Sequence, residues 1–228
     1  MAPILGTMEP KSSHLGTVEH RIGEGDRARR NGHRGGILWF TGLSGAGKST
    51  LAVELEKALF LKGAQVTLLD GDNVRKGLSA DLGFSPEDRT ENIRRIGEVA
   101  ALFAEAGLIV ITAFISPYRA DRDRIRDRHP AYFHEVFINA PLAVCEARDV
   151  KGLYRKARAG EIKEFTGISA PYEPPLRAEL EISTARTPVE ECVTRLAGYV
   201  ERCFSSGPTA RLEVVPPVTG SGSAPRAA

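Results

Sequence analysis

Short apolar runs alternate with stretches whose apolar residues recur at helical spacing, from residue 37 to the end of a last periodic stretch near residue 204. Residues 37–41 (ILWFT) form a brief apolar run closed by glycine, as a buried parallel strand would be. Residues 49–62 follow with Leu51, Leu55 and Leu59 at four-residue spacing and Gly63 as a stop signal, which predicts a helix. A second strand is expected over 65–69. A helix over 92–106 carries Ile93, Ile96, Ala100, Phe103 and Ala104 on one face and ends before Gly107. Residues 108–113 (LIVITA) are apolar throughout and predict a third strand covered on both sides. A fourth strand is expected over 133–138, a short helix over 142–148 and a fifth strand over 180–183. Pro188 opens a last helix with Val189, Cys192, Val193, Leu196 and Val200 on its apolar face. Strands alternating with helices predict a three-layer α/β domain around a mainly parallel, five-stranded sheet.

Outside this core the pattern fades. The stretch up to about residue 36 is polar and without a clear period, and residues 205–228, rich in Gly, Pro, Ser and Ala, read as a flexible tail. The chain has 228 residues and is 42% hydrophobic, enough for one well-cored domain and short for two. A net charge of +2 gives no support for broad nucleic-acid binding. Three cysteines, Cys145, Cys192 and Cys203, lack the spacing of a zinc site or a disulfide framework and read as small core residues. No apolar run reaches the length of a membrane span. Residues 1–30 lack a secretory apolar block and carry Glu9, Glu19, Glu24 and Asp26, so a cytoplasmic location is expected.

The first strand runs into Gly42-Leu43-Ser44-Gly45-Ala46-Gly47-Lys48-Ser49, a full match to the phosphate-binding G-x-x-x-x-G-K-[ST] loop, with Thr50 next. Its glycines let backbone N–H groups turn inward around phosphate oxygens, and the helix that follows adds its dipole. Lys48 would reach the β- and γ-phosphates of a nucleotide, and the Ser49 hydroxyl would ligate Mg²⁺. The N-K-x-D element of GTPases is absent, as is an apolar strand ending in Asp-Glu. Size and these absences favour a small-molecule kinase.

The second strand ends in Asp70-Gly71-Asp72-Asn73, at the carboxyl edge where open α/β sheets bind ligands. Asp72 is placed to take an acceptor hydroxyl proton, to help hold Mg²⁺ through water, or both; a solvated turn is the alternative. Arg75, Phe84, Arg89 and Asn92 follow across a loop and the start of a helix. Arginines grip anions and an exposed phenylalanine stacks on a base, although each residue alone is ordinary surface charge or core. A basic stretch over 151–167, with Lys151, Arg155, Lys163 and Phe165, suits a lid closing over two nucleotides or an exposed charged helix.

In these segments the chain resembles the adenylyl-sulfate (APS) kinase family. The likeness is carried by Gly-His-Arg-Gly at 32–35, the run 39–50, 70–75, 81–85, Asp88-Arg89 with 91–95, and 113–119. Residues 151–167 and Pro171-Tyr172-Glu173 complete it. It spans 32–204 and divides the chain into an N-terminal extension (1–31), a P-loop kinase domain (32–204) and a C-terminal tail (205–228). The resemblance implies phosphorylation of the 3′-hydroxyl of APS by MgATP, giving PAPS and ADP. It implies that Arg75, Arg89 and Asn92 hold the phosphosulfate and ribose. Phe84 and Phe165 would sandwich the adenine, and Ile115 and Lys163 would line the site. Asp72 would sit beside the reacting hydroxyl and the metal, and Arg148 would stack on the ATP adenine. Ser116 matches a serine that some members phosphorylate transiently, and it is carried as a site residue without an assigned step. A homodimer is expected by the same likeness, as is a freestanding form without a fused sulfurylase. Departures at 139–141, 149–151 and 169–170 remove no proposed ligand. Another small-metabolite kinase, or a silent nucleotide-binding protein, are the alternative readings.

Overall fold

The computed structural model describes residue 16 and residues 20–206, so most of both predicted tails lies outside the described residues. Five strands, β1 (Gly36–Thr41), β2 (Val66–Asp70), β3 (Ile109–Ala113), β4 (Phe133–Asn139) and β5 (Leu180–Ser183), form one sheet in the order β2-β3-β1-β4-β5. Every neighbouring pair is parallel. β1 and β3 are buried along their whole length, which is why their sequences read as unbroken apolar runs. β2 is an edge strand and only half-buried.

Alternation along β1 feeds two cores. Leu38 and Phe40 face one layer, with Leu51, Leu55 and Leu59 of α2 (Lys48–Leu61) and Cys192, Leu196 and Val200 of α8 (Val189–Phe204). Ile37 and Trp39 face the other, with Ile93, Ile96 and Ala100 of α4 (Pro86–Glu105) and Ile125 of α5 (Arg119–Arg128). The Trp39 ring lies 6.1 Å from Phe114 and 5.7 Å from Phe133. Cys145 and Cys192 are buried, Cys203 is half-buried, and all three are free thiols. Among the described residues no helix is long and apolar enough to cross a membrane.

Three elements depart from the sequence pattern. α4 starts at Pro86 rather than near 92, with Ser85 as its N-cap accepting from the Asp88 N–H at 3.1 Å and Glu87 and Asp88 in its first turn. Its first turns are not buried and carry Arg89, bonded to Thr166 and Glu164, so they show no apolar period. α5 was not expected because Ile125 is the one apolar residue of its buried face; Arg122 and Asp121 beside it are buried through polar partners. α1 (Glu24–Asn31) buries no side chain at all. Arg27 Nη1 and Asn31 Nδ2 hold it by donating to the Ala106 and Gly107 carbonyls at 3.3 and 3.0 Å. Short helices α3 (Gly71–Val74), α6 (Leu142–Arg148) and α7 (Leu153–Arg158) line the carboxyl edge of the sheet or the segment beyond β4. The Arg34 N–H donates to the Phe204 carbonyl at 2.7 Å, and His33 bridges to Ser205, the first residue of the expected tail.

Candidate active site

Thr41 ends the central strand, and the chain then turns into α2 through Gly42–Gly47. Gly42, Gly45 and Gly47 have φ of +151°, +75° and +98°. A Cβ on Gly42 would lie 2.3 Å from the Ile138 carbonyl oxygen, and one on Gly45 would lie 3.0 Å from that of Cys145. Leu43, Ser44 and Ala46 fill the turn between them, and Ser49 and Thr50 open α2 at the surface. Lys48 folds back over the loop: its Nζ donates to the Gly42 and Leu43 carbonyls at 2.9 and 2.7 Å. Burial, with a smaller contribution from Lys151, pushes its ammonium pKa down to about 8, against the pull of Cys145 and Asp70. Arg148 braces the loop by donating to the carbonyls of Gly45 (3.1 Å) and Thr184 (2.6 Å). Thr184 Oγ1 donates in turn to the Ala46 carbonyl at 2.8 Å.

β2 brings two carboxylates to this loop. Ser49 Oγ donates to Asp70 Oδ2 at 2.7 Å, and Asp70 Oδ1 accepts the Asp72 N–H at 3.0 Å. The Asp72 carboxylate points outward, where the Lys151 ammonium pairs with it. Ser49, Asp70, Asp72 and Lys151 thus form one chain of contacts from the phosphate loop to the lid segment. The carboxylate in contact with Ser49 is that of Asp70, whereas that of Asp72 pairs with Lys151. A hydroxyl and a carboxylate oxygen at a solvent-open helix N-terminus are the hard oxygen donors that Mg²⁺ takes alongside phosphate and water.

Beyond Asp72 lies a cationic cleft. Arg75 donates to the carbonyls of Leu82 and Gly83 at 3.2 and 2.9 Å, and its guanidinium lies 4.2 Å from the centre of the Phe84 ring. Burial first, then the nearby Arg89, push the Arg75 guanidinium below its ordinary range. Arg89 gathers the cleft: it donates to the Phe84 carbonyl (2.8 Å), Thr166 Oγ1 (2.7 Å) and the Glu164 carbonyl (2.6 Å). The Phe84 ring is 66% exposed, whereas Phe165 is buried edge-on against Tyr154, centroids 5.0 Å apart. One turn along α4, Asn92 is 5% exposed and its Oδ1 has no hydrogen-bond partner among the described residues.

The lid segment is less free than its charge suggests. Tyr154 and Ala157 of α7 sit in the core, and the Tyr154 hydroxyl donates to the Ser44 carbonyl at 2.9 Å. Lys151, Arg155 and Lys163 stay exposed. Ile115 is half-buried in the loop after β3, its carbonyl accepting from Thr41 Oγ1 at 2.8 Å. Ser116 is the site residue carried without an assigned step. It is 2% exposed with φ of +40°, and its Oγ accepts from the Trp39 indole N–H at 3.1 Å. Its hydroxyl is thus engaged by a ring of the core. Sequence reasoning also passed over Thr184, for which no motif exists. It passed over the role of Asp70, which its place as last residue of an edge strand beside the loop could have signalled.

A sequence model of the family described as adenylylsulphate kinase matches residues 34–183. An adenylyl-sulfate kinase of Geotalea daltonii is 60% identical over 178 residues, which are 78% of this chain and 88% of that one. Another, of Shewanella amazonensis, is 58% identical over 189 residues, covering 82% and 96%. Among solved structures, an APS kinase of Mycobacterium tuberculosis in complex with AMPPNP and APS is similar with a TM-score of 0.71. It is 47% identical in sequence, and the match covers 74% of this chain and 98% of that one.

Proposed function

The chain belongs to the adenylylsulphate kinase family, and from that premise we propose that it transfers the γ-phosphoryl group of ATP to the 3′-hydroxyl of adenylyl sulfate, releasing 3′-phosphoadenylyl sulfate and ADP. The observation that carries the acceptor half is the cleft beyond Asp72. There Arg75 lies over the Phe84 ring while Arg89 holds the Phe84 carbonyl, and the buried Asn92 Oδ1 has no hydrogen-bond partner among the described residues. Paired cations call for an anion, and an orphaned acceptor calls for a hydroxyl or amine. A phosphosulfate joined to a ribose supplies both.

On the donor side, the backbone N–H groups of residues 42–49 cradle the phosphates, and Lys48 exchanges the Gly42 and Leu43 carbonyls for phosphate oxygens. Ser49 and Asp70 are the residues that fit Mg²⁺, which when bound offsets the charge of the β- and γ-phosphates. Arg148, next to Gly45 and Thr184, packs against the ATP adenine. Asp72 orients the acceptor hydroxyl and takes its proton while Lys151 turns from Asp72 toward the moving phosphoryl group. Arg155 adds lid charge. Phe84 and Phe165 flank the acceptor adenine, with Ile115 and Lys163 along its rim. Ser116 serves as a backbone anchor in this scheme, because its hydroxyl is engaged by Trp39.

The same reading makes the protein a cytoplasmic homodimer, a form favoured by the general prevalence of dimers and by the adjacent exposed apolar side chains of Phe60 and Leu61 at the end of α2. Sedimentation at micromolar concentration checks the dimer; a single monomeric boundary would remove it. The activity is tested by a coupled MgATP assay offering APS beside AMP, adenosine and common sugars. APS-dependent ADP release with formation of a 3′-phosphorylated product is the expected result. Turnover confined to a different acceptor, or none with any, overturns the reading.

A further inference from the structure

The least expected buried group in the molecule is a guanidinium. Arg122, in the first half of α5, is 1% exposed and ranks with Trp39 and Phe40 among the largest fully enclosed side chains. It donates from Nε to Glu135 Oε1 on β4 at 2.5 Å, from Nη1 to the Ser116 carbonyl at 2.6 Å, and from Nη2 to the Glu173 carbonyl at 2.8 Å. Glu135 is itself 4% exposed and accepts at its other oxygen from Arg126, which also pairs with Glu179.

The two carbonyls belong to segments far apart in sequence. Residues 114–118 leave β3 and carry Ile115. Residues 171–174 form a strap between the lid segment and β5. Neither segment has regular structure of its own. The Glu173 N–H donates to the Pro117 carbonyl at 2.9 Å, and its carboxylate accepts the Arg119 N–H at 2.8 Å. Tyr172 OH meets Thr41 Oγ1 at 3.0 Å. Ser116 sits at φ of +40°, a conformation that a serine keeps only when its surroundings fix it. Arg122 on its carbonyl and Trp39 on its hydroxyl are those surroundings.

From this junction we infer that Arg122 is a positioning residue of the acceptor pocket: one buried guanidinium locks the loop after β3 and the strap behind the lid into a common register on β4. A buried ion pair is weak as a stabiliser, since well-packed apolar residues of similar volume often do as well. A planar fork that serves a carboxylate and two carbonyls at once does something they cannot, and lysine, with its single ammonium, cannot either. The pocket at stake is the one assigned above to APS, so the inference rests on that reading.

The test compares Arg122→Lys and the double variant Arg122→Met/Glu135→Leu with the wild type. The double variant removes the pair without stranding a buried charge. KM for APS, KM for ATP and kcat are measured, together with calorimetric binding of APS in the presence of ADP. We expect the double variant to melt close to the wild type while its KM and dissociation constant for APS rise by about tenfold or more, with KM for ATP within about twofold. Lysine should leave most of that defect in place. A merely structural role predicts a different split: fewer active molecules, hence lower apparent kcat, with both KM values unchanged. That result, or full rescue by lysine, overturns the inference. Should both core variants fail to fold, Glu135→Gln keeps the side chain's shape while weakening the anchor of Arg122 on β4, and unaltered APS binding in that variant overturns the inference equally. Failure of the wild type to bind APS at all strikes instead at the acceptor reading.

Discussion

Lys48 is a cation held by two carbonyls in a dry loop, and its pKa of about 8 follows from that burial. Phosphate oxygens in place of carbonyls favour the charged form, so nucleotide binding raises this pKa. The sign is then fixed: below about pH 8 the amine is already protonated and binding takes up little, whereas above it binding draws a proton and affinity falls with pH. The fall approaches about tenfold per pH unit well above the free pKa. Calorimetry of ATP binding at about pH 8.5, in buffers of different ionisation enthalpy, should show proton uptake that Lys48→Met abolishes; a heat independent of buffer would contradict it. Asp72 makes a complementary case. Asp72→Asn keeps shape and leaves Ser49 and Asp70 untouched, so ATP binding should persist while turnover drops by roughly 10²- to 10⁴-fold. Near-wild-type turnover would take Asp72 out of the chemistry. Residues such as Lys48 and Ser49 were readable because a loop motif fixes both their type and their spacing. Two aspartates two positions apart offered no such rule, and only the direction of each side chain separates the partner of Ser49 from the partner of Lys151.

Elements were legible in proportion to the apolar surface they bury. β1 and β3 have every residue buried and stood out as unbroken runs, and α2 and α8 showed clear stripes. The start of α4 and the whole of α5 did not, because their inward residues are mostly polar: Arg89, Asp121 and Arg122 are held by hydrogen bonds, and Asn92 is buried with its Oδ1 unpartnered among the described residues. The site therefore lies largely on the elements that periodicity could not see. Arg89 illustrates the consequence. Placed in the first turns of α4, it ties Phe84 to both neighbours of Phe165, so one side chain joins the two walls of the acceptor cleft. Arg89→Ala should raise KM for APS by about tenfold or more while leaving KM for ATP nearly unchanged. It should also speed proteolytic cleavage near residues 160–167, since that segment loses its tether to the helix. An effect on ATP alone would show the cleft to be assigned to the wrong nucleotide.

For the molecule as a whole, the pattern along the chain announced alternating strands and helices but not their order across the sheet. That order, β2-β3-β1-β4-β5, puts the phosphate loop after the central strand, Asp70 at the end of an outer one and Asp72 just beyond it in α3, with the lid segment arriving from beyond β4. Three separate parts of the chain therefore meet at the carboxyl edge, and the Lys151–Asp72 pair is one contact between the lid and the acceptor side, beside those of Arg89 with Glu164 and Thr166. In the proposed scheme donor phosphates compete with Asp72 for that ammonium. Once they draw Lys151 across, Asp72 is released to the acceptor hydroxyl, so the donor should strengthen acceptor binding, and linkage requires the acceptor to strengthen donor binding by the same factor. The pair is well exposed, and such ion pairs contribute roughly 0.2–1 kcal/mol, which limits the coupling to about one- to fivefold. Titrating APS with and without a non-hydrolysable ATP analogue, and the analogue with and without APS, measures both legs. Lys151→Ala should bring the factor close to one while leaving each separate affinity within a few fold. Coupling that survives in this variant would mean that the donor reaches the acceptor side by a route other than the lid.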